Sequence, residues 1–169
     1  MKKTMLYLAA LACCLFSLTA CGDNDEPVMA TGTYTITFGS DFYNVVDFAI
    51  IYYKAANGET KREIMTSGTT WAKTVTTKVP AELAYKIEIE PLDEADFKVD
   101  KENYDISMTG AIQGAITSGG SGSFSNSTNF ISGLVAKSKV YSTLKANIEK
   151  SYGYRLDKNG NPTQYTPTF

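Results

Sequence analysis

From Thr33 onward apolar residues recur at every second position, a spacing that a β-strand turns into one continuous face because its successive side chains point to opposite sides. In Thr33 to Phe38, Tyr34, Ile36 and Phe38 share one face and three threonines share the other. Asn44 to Lys54, NVVDFAIIYYK, is apolar on both faces in its middle, as in a strand covered on both sides. Asn57-Gly58 then supplies the positive backbone angles of a tight hairpin, so Glu59 to Thr66 is expected to return antiparallel. Trp71, Val75 and Val79 line one face of TTWAKTVTTKV, and Pro80 ends that run because it has no N–H for a ladder. AYKIEIE points Tyr85, Ile87 and Ile89 inward and Lys86, Glu88 and Glu90 outward. Ile106, Met108, Gly110, Ile112, Gly114 and Ile116 form another alternating run, whose glycines predict a bend or bulge.

Two stretches depart from this pattern. Thr117 to Asn129, TSGGSGSFSNSTN, is mostly glycine and serine and reads as a mobile loop too polar to repay the entropy of ordering. Its one aromatic, Phe124, is either tucked onto the domain or offered to a partner, and the first is the ordinary outcome. Val140, Tyr141, Leu144, Ile148 and Tyr152 recur at helical spacing, with Ser138 as a cap and Gly153 as a stop, although a strand also fits Val140, Leu144, Ala146 and Ile148. Asp157 to Pro162, DKNGNP, is a turn. Several strands without βαβ alternation predict a mainly β chain, an antiparallel β-sandwich with one short helix near the C-terminus. The succession FAIIYYK, REIMT, Trp71, PAELAYKIEIE loosely resembles the middle of fibronectin-type or immunoglobulin-like modules.

The first 20 residues follow a different logic. Lys2 and Lys3 precede an apolar run from Met5 to Phe16, the layout of a secretory signal and shorter than the about 20 residues of a membrane span. Leu18-Thr19-Ala20-Cys21 resembles the bacterial lipobox, which implies cleavage before Cys21 and acyl chains such as palmitate on it. Asp23, Asp25 and Glu26 resemble the acidic surface-export signal of Bacteroidota-type lipoproteins, while a solvated linker accounts for them equally well. The expected organisation is a signal peptide over 1–20, a lipidated tether over 21–31 and one β-sandwich domain over 32–169.

Removing the leader takes away two of the three cysteines and two of the 16 basic side chains, leaving 14 against 18 acidic ones. With Cys21 acylated, no disulfide is possible, and no basic run exists to neutralise phosphates, so nucleic acid is not an expected partner. The chain has no histidine, which removes Ser-His and Cys-His pairs and histidine metal sites. No metal or cofactor is expected, and no catalytic residue is assigned.

Glu88 and Glu90 share a strand face about 6–7 Å apart, within the range of glycosidase carboxylates, but beside Lys86 they read as a solvated face. Asp157, Asn159 and Asn161 open like a calcium loop, yet Pro162 stands where glycine is required and no closing glutamate follows. Asp47 interrupts VVDFAII and belongs at a strand edge or in a bond to nearby backbone. The aromatic surplus leaves Tyr52, Tyr53, Tyr152 and Tyr154 as candidate contacts for a sugar ring or a protein, with Trp71 assigned to the core. These readings describe a lipid-anchored envelope protein, on the outer membrane and at the cell surface or its periplasmic face. The expected role is a non-catalytic binding or assembly module for a glycan or an envelope protein. A carboxylate-dependent glycan hydrolase and a structural subunit assembling by strand addition remain as alternatives.

Overall fold

The computed structural model describes residues 27–169, so the expected signal peptide, Cys21 and the acidic residues Asp23, Asp25 and Glu26 lie outside the described residues. In chain order the elements are β1 (Met29–Phe38), the single turn α1 (Phe42–Val45), β2 (Val46–Lys54), β3 (Thr60–Met65), β4 (Thr70–Lys78) and β5 (Ala81–Pro91). There follow β6 (Asn103–Asp105), β7 (Met108–Ser118), β8 (Ser123–Ile131), β9 (Leu134–Ala136), α2 (Lys137–Lys145), β10 (Glu149–Leu156) and β11 (Pro162–Tyr165). A four-stranded sheet in the order β4-β1-β7-β8 packs on a five-stranded sheet in the order β11-β10-β5-β2-β3, and β6 and β9 form a short separate ladder. Every ladder is antiparallel.

The alternation predicts which side chains meet between the sheets. Tyr34, Ile36, Phe38, Trp71, Val75, Met108 and Ile112 come from one sheet, and Ile51, Tyr53, Leu83, Tyr85, Ile87 and Tyr154 from the other. They form a single core, in which each large apolar side chain stabilises by about 1.5–3 kcal/mol. The buried Tyr34 hydroxyl donates to the carbonyl of Lys54 at 2.7 Å, so its polar end is satisfied across the sheets. The β2–β3 hairpin turns at Asn57-Gly58, but over the five residues 55–59 and with Gly58 alone at positive φ, 79°, so it is wider than the tight turn expected.

Five expectations are corrected. The stretch 117–129 is a strand–turn–strand and no loop: Phe124, Asn126, Thr128 and Phe130 of β8 face inward while the serines face solvent, and β7 supplies the ladder. The helix ends at Lys145, eight residues before the expected stop, because β10 begins at Glu149 and claims Tyr152 and Gly153 for pairing with β5. Ser138 lies inside that helix rather than at its cap, which is Ala136. The expected tether loses its last three residues, since β1 begins at Met29. Gly110 and Gly114 mark no bulge; a Cβ at either position would collide with the ring of Tyr85 or of Phe124, so they are hollows for aromatic rings. The unpaired residues lie elsewhere: Phe130 of β8 opposite Met108 and Thr109, and Thr117 near the end of β7 opposite Met29 and Ala30.

Candidate functional site

Burial separates the four candidate tyrosines. Tyr53 is 6% exposed, its ring 5.9 Å from Tyr34 and 5.4 Å from Trp71, and Tyr154 is 4% exposed with its ring 5.1 Å from Phe124. Both are core residues and cannot touch a ligand. Tyr152 is half-buried and its hydroxyl points inward near Tyr154 and Asn126 without closing a well-formed hydrogen bond; desolvation, with Tyr154 adding to it, pushes its pKa up to about 12. Only Tyr52 presents its ring on the outer face of the five-stranded sheet. Trp71 and Phe124 both point inward, as their ordinary readings had it.

The Tyr52 ring is held on that face by its neighbours on β5. Its hydroxyl donates to Glu88 Oε2 at 3.0 Å, Lys86 Nζ donates to Glu88 Oε1 at 2.6 Å, and the same ammonium lies 4.6 Å from the centre of the ring. The Lys86 hydrogen bond, with that of Tyr52 adding to it, holds the Glu88 carboxyl below its ordinary pKa. A general acid in a glycosidase pair needs the opposite shift. Glu90 is exposed, and Asp47, also exposed, sits where the β2–β5 pairing skips from Val46 to Phe48. Asp157 turns its carboxylate onto its own loop: Oδ1 accepts the backbone N–H groups of Asn159 at 2.8 Å and Asn161 at 2.9 Å. Among the described residues no three Asp, Glu, Cys or His side chains converge at metal-binding distances.

A groove beside Tyr52 has no counterpart in the sequence reading. On the outer face of the five-stranded sheet Gly153 of β10 pairs with Ala84 of β5, and these two small residues make a floor between taller side chains. One wall is Arg155 with Glu82, joined by a 2.9 Å ion pair, and the other is Lys86 with Tyr52 and Glu88. The groove is filled by residues 165–169. The Tyr165 ring covers Gly153, where an added Cβ would stand 2.7 Å from its Cε1, and Arg155 lies 4.3 Å from the centre of that ring. Pro167 is buried, and the Phe169 ring lies 6.3 Å from Tyr52 and 5.6 Å from the Lys54 ammonium. Ala84 has no exposed surface although it stands outside the main core, which this segment explains. The sole sequence signal was the alternation of Tyr165, Pro167 and Phe169, at a place where strand patterning had ended.

Glu63 was also missed. On β3 it faces the gap between the sheets and accepts from Trp71 Nε1 at 2.8 Å, Lys73 Nζ at 2.8 Å and the Tyr53 hydroxyl at 3.1 Å. Nothing in REIMT distinguishes it from any surface glutamate, because its three donors come from β2 and β4. No protein-family model matches the chain, and neither a curated protein nor a solved structure is significantly similar to it.

Proposed function

We propose that this chain is a lipid-anchored protein of the outer membrane, displayed at the cell surface, whose β-sandwich is a non-catalytic binding module for a glycan or an envelope protein. The anchor rests on the likeness of Leu18-Thr19-Ala20-Cys21 to a lipobox. Only residues 22–28 separate Cys21 from β1, a span of at most about 25 Å, so the domain would sit close to the lipid headgroups. The observation that carries the binding role is the walled groove with Tyr52, Lys86 and Arg155 along it. Acid–base work on glycans is disfavoured by the lowered pKa of Glu88. Strand addition has one observation in its favour, the edge of β3, unpaired among the described residues, with Ile64 53% exposed.

Two measurements test this reading. Cys21→Ser is expected to abolish fatty-acid labelling and partition into detergent, and unchanged partition would remove the anchor. Titration with envelope glycans and peptides is expected to give saturable binding that Tyr52→Ala weakens. Hydrolysis of any of those glycans, or binding indifferent to Tyr52, would overturn the binding role assigned to this face.

A further inference from the structure

The geometry of residues 165–169 says what kind of ligand the groove is shaped for. Tyr165 pairs with Gly153, Gly153 with Ala84, and Lys54 lies one step beyond the Tyr53–Tyr85 pair, so these residues form one row across four strands. Three inter-strand steps amount to roughly 14 Å, and the four residues after Tyr165 cover roughly 13 Å when extended. The segment therefore crosses the strands at about a right angle along that row, with Tyr165 at one end and Phe169 at the other. It adds no strand to the sheet.

Its attachment is by side chains. Among the described residues, no backbone group of residues 166–169 hydrogen-bonds to the sheet, and the ladder stops at Tyr165. Proline suits the middle position because it has no N–H to leave unpaired and favours an extended backbone. The outer positions hold aromatic rings against cations, Arg155 at one and Lys54 at the other. The Tyr165 hydroxyl lies buried beside the Glu82 carboxylate without closing a well-formed hydrogen bond to it, so side-chain packing and the two cations are what hold the segment.

We propose that the groove is a docking site for an extended segment of a partner protein with the pattern aromatic–x–Pro–x–aromatic, and that residues 165–169 occupy it in cis until such a segment displaces them. The proposal rests on the binding role assigned above and names its ligand class. The probe is a labelled synthetic peptide of residues 164–169, titrated against the full chain and against the chain lacking residues 165–169. Saturable binding to the shortened chain, at least about tenfold weaker to the full one, is expected. Replacing Phe169 by alanine in the peptide should weaken binding about tenfold. If the shortened chain fails to fold, Phe169→Ala in the full chain carries the test, with the same gain in peptide binding expected. A folded shortened chain that ignores the peptide, or binding of equal strength to both chains, would overturn the proposal. Dimers of the full chain that exchange this segment in sedimentation would also overturn it, by giving the groove to a second copy. Binding of a glycan but no peptide would sink the groove's assignment and leave the binding module standing; binding of neither would remove both.

Discussion

Along β3 and β4 the gap between the two sheets is closed by a carboxylate: Glu63 gathers donors from Trp71, Lys73 and Tyr53. Along β8 and β10 the same gap is closed by rings: Phe124 sits over Gly114 and 5.1 Å from Tyr154, and Tyr152 lies 5.6 Å from Tyr154. A sandwich has no ladder between its sheets, so each side must be held by side chains alone. The first side uses charge-assisted hydrogen bonds, whose strength depends on ionisation. The second uses buried aromatic area, which is indifferent to charge until a tyrosine titrates. The two sides are therefore expected to fail in opposite directions of pH.

The largest effect separates packing from polar closure. Phe124→Ala is expected to cost about 3–5 kcal/mol in urea unfolding, as large-to-small changes at buried aromatics do. Trp71→Phe keeps a ring and drops the bond from Nε1 to Glu63, so about 1–3 kcal/mol is expected. Equal losses at the two positions would erase the distinction between the sides.

The acid limb of stability tests the charged side. Glu63 is held below its ordinary pKa, first by the Lys73 hydrogen bond and then by that of Trp71. A group with a lowered folded pKa stabilises above its unfolded value, about 4.3, and that contribution is lost as pH falls through the folded value. Because the Glu63 and Lys73 side chains are more than a third exposed, solvent screens their pairing, and Glu63→Gln should cost no more than about 1 kcal/mol near pH 7 while flattening the decline in melting temperature below about pH 4. An unchanged acid limb would show that other carboxylates set it.

The smallest effect at neutral pH belongs to the ring side. Tyr152→Phe removes a buried hydroxyl that lies near Tyr154 and Asn126 without closing a well-formed hydrogen bond, so stability near pH 7 should change by no more than about 0.5 kcal/mol. Because Tyr152 is raised to about 12, its contribution is present below the unfolded pKa of about 10 and lost as pH climbs toward 12. The phenylalanine variant should lose less stability than the parent over that alkaline interval. An identical alkaline decline would assign it elsewhere.

Legibility in the sequence followed the contrast between residue types. Tyr34, Ile36 and Phe38 against threonines, or Tyr85, Ile87 and Ile89 against Lys86, Glu88 and Glu90, announce a strand and its inward face together. In β8 the same period is present, but Asn126 and Thr128 take inward positions and serines the outward ones, so the alternation is polar against polar and composition suggests a loop. The boundary between α2 and β10 was invisible for a different reason: Ile148 and Tyr152 continue the helical spacing, and only pairing of Glu149 to Leu156 with β5 makes them strand. Of the candidate site, Tyr52 was readable as one of two tyrosines on opposite faces of β2. Which of the two faces solvent was not, since both sides of that strand are apolar.

The chain's own order of residues determined that it would be built from antiparallel strands, where the Asn57-Gly58 hairpin would turn, and which side chains of β1, β4 and β5 would enter the core. These are consequences of neighbours a few positions apart, where period and backbone preference act directly. Tertiary structure alone decided that Glu63 would collect donors from two other strands, that Gly110, Gly114 and Gly153 would each lie beneath an aromatic ring, and that residues 165–169 would cross the sheet to reach Tyr52. Each of those contacts joins residues distant in sequence, so its partner exists only once strand order and register have brought the two together.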